Sequence, residues 1–143
     1  MNEPPPDVCI LVADDHKAVR EGLVAIIKCQ NDMRVCGEAC NGREAVELFR
    51  LHRPDVTLMD LRMPHMDGVS AIEAIRAEFP SACILVLTTY DAEEAVSRAL
   101  AAGAAAYLLK DASRAELLAT IRDLDSRQRA FCTGNVTGTV RSS

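Results

Sequence analysis

The chain has 143 residues, enough for one domain with a full hydrophobic core and short for two. Its 49% apolar and 26% charged content is that of a soluble globular protein rather than a disordered one, and the absence of Trp leaves the core to aliphatic side chains and Met. A net charge of −5 gives no electrostatic footprint for nucleic acid or an anionic membrane, so this stretch alone is expected not to bind DNA.

Residues 1–7, Met-Asn-Glu-Pro-Pro-Pro-Asp, are a polar lead-in expected to be disordered, without the basic start and apolar centre of a signal peptide. Residues 8–13 are a continuous apolar run suited to a strand buried on both faces. Over residues 16–30, Val19, Leu23, Ile26 and Ile27 recur at helical spacing and predict an inward face. Residues 35–39 read as a second strand. Asn41 can cap a helix that turns Ala45, Val46, Leu48 and Phe49 inward, and Pro54 ends it. A third strand over 55–59 leads into the loop 60–68, where Pro64 and Gly68 are turn residues.

Val69, Ile72, Ile75 and Phe79 mark a third helix, closed by Pro80. A fourth strand over 83–87 is followed by a fourth helix over 92–102, with Gly103 as its stop, and by a fifth strand over 105–109. Ser113 with Glu116 three residues on makes a capping box for a last helix carrying Leu117, Leu118, Ile121 and Leu124. The pattern then fades, and residues 126–143 are read as a disordered tail. The alternation implies an α/β fold, (βα)5, with a doubly wound five-stranded parallel sheet covered by helices on both faces.

The longest apolar stretch, residues 99–109, is too short to span a bilayer. The six cysteines form no Cys-x-x-Cys pair. Cys9, Cys36 and Cys83 fall in predicted strands as small buried hydrophobes, and Cys36 and Cys40 lack the second ligand pair of a zinc site. Free thiols in a reducing cytoplasm, without membrane contact, are the expectation.

Four of the apolar runs end on polar residues: Asp14-Asp15, Asp60, Thr88 and Lys110. In a parallel sheet those carboxyl ends lie side by side, where ligands bind. Three carboxylates within roughly 4 Å repel by about 4 kcal/mol per pair in a protein-like dielectric, so the cluster calls for a cation or a proton. Mg2+ suits such oxygen ligands. Alone, Asp14-Asp15 also reads as a cap for the first helix and Lys110 as a snorkelling surface residue; Asp60 on a neighbouring strand favours the metal. A carboxylate attacking phosphorus builds equatorial negative charge that the Thr88 hydroxyl and the Lys110 ammonium can stabilise. The combination points to a phosphorylatable aspartate beside a divalent cation.

The stretch Arg53-Pro54-Asp55-Val56-Thr57-Leu58-Met59-Asp60-Leu61-Arg62-Met63-Pro64-His65-Met66-Asp67-Gly68 closely resembles the phosphoacceptor region of bacterial response-regulator receiver domains. Asp14-Asp15, Asp60, Thr88, Tyr107 and Lys110 follow that family's order and spacing. Ala13-Asp14-Asp15-His16, Leu87-Thr88-Thr89-Tyr90-Asp91 and Tyr107-Leu108-Leu109-Lys110-Asp111 resemble its NarL/FixJ (LuxR-type) branch. The resemblance covers residues 8–125 and implies the strand order 2-1-3-4-5. It implies Asp60 as phosphoacceptor from a sensor histidine kinase, with slow autodephosphorylation. It also implies Mg2+, or Mn2+, held by Asp15 and Asp60, by Asp14 through water and by the Arg62 carbonyl. Lys110 would pair with the phosphoryl oxygens, Thr88 and Tyr107 would form the switch, and Arg62 and Tyr90 would tune phosphoryl lifetime. Homodimerisation on phosphorylation is implied too.

Two features depart from that branch. Lys17 stands where Pro is frequent, and residues 126–143 are too short and too irregular for a helix-turn-helix output domain, through which any DNA contact would run. A stand-alone or truncated receiver acting only as a protein-interaction module is the alternative. Three other readings fit less well. A flavodoxin-like binder wants a Ser/Thr/Gly-rich loop where Asp14-Asp15 stands. A haloacid-dehalogenase-like phosphatase wants an acid where Arg62 stands. A pseudo-receiver would have a broken site, and every position here is intact.

Overall fold

Each apolar run becomes a strand and each amphipathic stretch a helix in the computed structural model, which describes residues 7–132. In chain order these are β1 Val8–Ala13, α1 Lys17–Lys28, β2 Met33–Ala39, α2 Gly42–His52, β3 Val56–Asp60, α3 Gly68–Glu78, β4 Ile84–Thr88, α4 Glu93–Ala102, β5 Ala106–Leu109 and α5 Arg114–Cys132. The strands pair in parallel in the order β2-β1-β3-β4-β5. The class and strand order are those expected from the sequence.

Alternation along the strands splits the core in two. Leu11, Ala13, Met59, Ile84 and Val86 face α2, α3 and α4, whereas Ile10, Val12, Leu58, Leu85 and Leu87 face α1 and α5. Because β1, β3 and β4 are buried on both faces, their sequences are nearly continuous apolar runs, with Thr57 the one interior polar residue and Asp60 and Thr88 at the strand ends. The edges differ. β5 has only four residues, and β2 has seven but breaks register opposite Ile10 and Leu11, with Arg34 and Glu38 exposed.

Local chemistry sets the helix ends. The Asn41 side chain accepts the Glu44 N–H at 2.9 Å and caps α2, while Glu44 reaches back to accept the N–H of Cys40, the residue before the cap, at 2.9 Å. Asp67 and Ser113 accept the Ser70 and Glu116 N–H groups at 2.8 and 3.0 Å. Gly103, at φ 115°, stops α4 in the left-handed region that glycine reaches without strain.

The structure corrects several sequence expectations. β2 begins at Met33 rather than at residue 35, because Met33 pairs with Val8. β4 runs one residue later than expected, leaving Cys83 just before the strand. In α1, Val24 and Ile27 are the buried residues, and Val19 is more than a third exposed. The largest correction is at the carboxyl end, where α5 continues to Cys132 through the first part of the expected tail. Asp125 pairs with Arg129 one turn on in the same helix at 2.7 Å, and the Gln128 side chain donates to the Asp55 carbonyl at 3.1 Å, so one local ion pair and one tertiary contact support the helix beyond its apolar face. The rest of the expected tail and residues 1–6 of the lead-in lie outside the described residues. Among the described residues no helix is long and apolar enough to cross a membrane.

Candidate functional site

Strand order places the site. The chain leaves β1 for β2 on one side and reaches β3 on the other, so a crevice opens at the carboxyl ends of β1 and β3. Asp14 and Asp15 follow β1, and Asp60 is the last residue of β3. Lys110 follows β5, its backbone held by a 2.7 Å hydrogen bond from its N–H to the Thr88 carbonyl. From there its Nζ lies 3.2 Å from both Asp14 Oδ2 and Asp60 Oδ1. Asp14, Asp15 and Asp60 gather into one acidic cluster, and Lys110 reaches two of its members.

Burial gives this cluster its electrostatics. Asp14 is 1% exposed and Asp60 5%. Burial, then the Asp14 charge beside it, push the Asp60 carboxyl above the usual carboxylate range, against the pull of Lys110 and the Arg62 amide. Burial pulls the Lys110 ammonium down, but the Asp60 and Asp14 carboxylates outweigh it and hold the group above its ordinary value. With all three carboxylates ionised, Lys110 leaves two negative charges uncompensated, the charge a divalent cation supplies. Asp60 Oδ2 is buried with no partner, while Asp14 Oδ2 and Asp15 Oδ1 have only the charged contacts to Lys110 and His16, and a buried unpaired oxygen costs free energy unless a ligand meets it. Hard oxygen donors with unmet valence fit Mg2+ or Mn2+.

The remaining site residues lie on the rim. Thr88 is buried at the end of β4. Tyr107, half-exposed on β5, lines an open groove of about 430 Å3 with Thr88, Tyr90, Val96 and Leu100. Tyr90 donates to Asp111 at 2.7 Å, and Arg62 reaches Asp91 at 3.5 Å. These exposed tuning candidates thus bridge neighbouring loops rather than standing unpaired.

Sequence reasoning missed three supports. Arg20 donates to the Asp14 carbonyl at 2.8 Å and braces the acidic pair. The Gly42 N–H donates to the Met66 carbonyl at 2.8 Å, and a Cβ at position 42 would lie 2.3 Å from that oxygen, so only glycine lets α2 abut the loop after β3. The capping signal at Asn41 marked the helix start but not its neighbour. His16 Nδ1 lies 3.3 Å from Asp15 Oδ1; its adjacency to the acidic pair was the one available signal.

Of the thiols, Cys9, Cys29, Cys36, Cys40 and Cys83 are free. Burial and the neighbouring Cys9 thiol push the Cys36 thiol up to about 12, and burial pushes Cys83 up to about 11, so neither is a reactive thiolate.

A five-stranded doubly wound sheet with an acidic triad and a lysine at its carboxyl end defines a receiver-type α/β domain. Residues 10–122 match the response regulator receiver domain family, and the chain belongs to it. An uncharacterized transcriptional regulatory protein of Bacillus subtilis, YhcZ, is 48% identical over 111 residues, 78% of this chain and 52% of that protein. The solved signal receiver domain of NarL from Mycobacterium tuberculosis superposes with a TM-score of 0.80 at 40% identity, covering 85% of this chain and 98% of that one. A LuxR-family two-component response regulator from Aurantimonas has a TM-score of 0.79 at 33% identity, covering 85% and 86%. The receiver is thus of the NarL/LuxR type. The chain spans about half the length of the curated relatives it matches.

Proposed function

We propose that Asp60 accepts a phosphoryl group from the phosphohistidine of a sensor kinase and that the charged domain then signals to a transcription-regulating output. The observation that carries this is the Asp60 carboxylate itself, buried at the end of β3 with one oxygen against Lys110 and the other without a hydrogen-bond partner. In the transfer a new P–O bond forms on Asp60 as the P–N bond of the donor breaks, and the histidine nitrogen keeps the electron pair and takes a proton. Lys110 faces the growing charge on the phosphoryl oxygens.

Asp15 and Asp60, Asp14 through water, and the Arg62 carbonyl are the proposed holders of Mg2+ or Mn2+. The bound ion would neutralise charge shared by carboxylates and phosphoryl oxygens. Phosphorylation adds about −1.5 to −2 charges and new acceptors. The Thr88 hydroxyl turns toward them, and the groove beside it gives Tyr107 room to rotate inward. That movement reaches the α4–β5–α5 face, where homodimerisation would follow. Arg62 and Tyr90 stand at the mouth, where their contacts to Asp91 and Asp111 would set access of water to the acyl phosphate. A cytoplasmic setting follows from the kinase as donor.

Acetyl phosphate with Mg2+ should add one phosphoryl group by intact mass, and the addition should vanish in Asp60→Asn or with a chelator. Equal labelling of Asp60→Asn would sink the assignment.

A further inference from the structure

His16 occupies the N-cap position of α1, yet its side chain makes no capping hydrogen bond. Nor is it core, since the side chain is 68% exposed. Its Nδ1 instead turns back toward the acidic pair, 3.3 Å from Asp15 Oδ1 and 3.5 Å from Asp14 Oδ1. One ligand atom each from Asp14, Asp15, His16 and Asp60 lies within 4.8 Å of all the others. On an octahedral ion with bonds near 2.1 Å, adjacent ligands are about 3.0 Å apart and opposite ones about 4.2 Å. The spread of the four atoms is somewhat wider than that of ligands around one ion, so a small movement of the exposed imidazole would close the set. Independently, Asp60 Oδ2, on a carboxylate almost fully buried, has no hydrogen-bond partner, since Lys110 takes the other Asp60 oxygen and Asp14 Oδ2.

We propose that His16 is a nitrogen ligand of this cation site and biases it away from Mg2+ toward first-row transition ions such as Mn2+ and Ni2+. The inference rests on the metal-binding reading of the acidic cluster and adds a ligand to it. An all-oxygen set of carboxylates, carbonyl and water suits Mg2+, whereas imidazole raises affinity along the Irving–Williams series. A neutral imidazole adds no charge, so its contribution falls on ions that bond well to nitrogen and leaves the Coulombic attraction for Mg2+ as it was. Which ion fills the site, and not only whether it is filled, then depends on one side chain at the start of α1.

The test uses the untagged chain, its His16→Ala variant and a His65→Gln control. Calorimetric titration with Mg2+, Mn2+ and Ni2+ should give a Ni2+ affinity roughly tenfold or more weaker in His16→Ala, with Mg2+ changed less than about twofold. Pulsed electron paramagnetic resonance of the Mn2+ complex should record a directly bound nitrogen in wild type and in His65→Gln, and none in His16→Ala. Equal losses for Mg2+ and Ni2+, or no nitrogen coupling in wild type, overturn the inference while leaving the acidic site intact. Binding of no ion at all overturns both this inference and the metal reading beneath it.

Discussion

The two flanks of the same helical layer are packed very differently. On one flank α3 buries Gly68, Val69, Ala71, Ile72 and Ile75. It is tied to α2 by the Arg50–Glu78 fork at 2.7 to 3.0 Å, by Phe49 and Phe79 with ring centroids 5.1 Å apart, and by the Arg53 guanidinium over the Phe79 ring. On the other flank α4 buries only Ala99, and no residue of β5 is fully buried. Asp60 stands on the tight side, and Tyr107 and the groove beside it on the loose one. A site that must keep its geometry sits where displacement is costly, and a side chain that must move sits where it is cheap.

The most severe way to break this contrast is a cavity on each flank. Ile72→Ala should cost about 2–5 kcal/mol in urea unfolding, whereas Leu100→Ala, at a half-exposed position of α4, should cost under about 1 kcal/mol. Amides of α4 should exchange with solvent before those of α3. Comparable losses for the two variants would show that the flanks are equally tight. Next in size, Gly42→Ala forces α2 or the 60–68 loop to shift away from the Met66 carbonyl and should cost about 1–3 kcal/mol, with slower labelling by acetyl phosphate at unchanged Asp60.

A smaller effect separates charge from packing at the tight end. Burial raises the Asp60 carboxyl, so its ionisation opposes folding. Without divalent ions, Asp60→Asn should melt a few degrees higher than wild type near neutral pH. With the folded value above the unfolded one, any stability from this group is fully present below about pH 4 and is lost as pH rises through the folded value. The gap between the two proteins should therefore close in acid. Calorimetry that finds the gap constant with pH would assign it to packing instead.

Smallest is Arg122, which reaches from α5 to Asp32 with two 2.9 Å hydrogen bonds at the surface. Its loss to Ala should cost under about 1 kcal/mol. The Arg122 guanidinium holds Asp32 below its usual range, so that contribution exists above the unfolded carboxyl value and fades as pH falls through the lowered one. Unfolding midpoints measured at neutral and acid pH would check both statements.

The sequence made the tight flank more legible than the loose one, for a physical reason. A strand buried on both faces is apolar at nearly every position, so β1, β3 and β4 announce themselves within a residue even with Thr57 inside β3. Their polar exits then reveal Asp14, Asp60 and Thr88 without any knowledge of packing, and the apolar run of β5 reveals Lys110 in the same way. Boundaries set by partners are hidden: Met33 joins β2 because Val8 lies opposite, and α5 outlasts its apolar face because Gln128 finds the Asp55 carbonyl. Val19 has the right spacing but sits in the first turn of α1, where the helix starts at the sheet's carboxyl edge. Tyr107 stands out in the sequence only through the family resemblance, because by pattern alone it is one more residue of an apolar run, yet it lies on an edge strand and is half-exposed. His16 escapes because its meaning depends on where the N-cap turns an imidazole, which spacing does not encode.

The edge strands bear on how the domain behaves at high concentration. A sheet edge offers unpaired amides and carbonyls to any passing strand, and natural folds blunt that offer with short strands, bulges and charge. Here β5 gives four residues of template, and β2 interrupts its seven with an irregular register and an exposed arginine and glutamate. Neither edge of the described sheet is a good seed for strand addition, which disfavours cross-strand aggregation at high concentration.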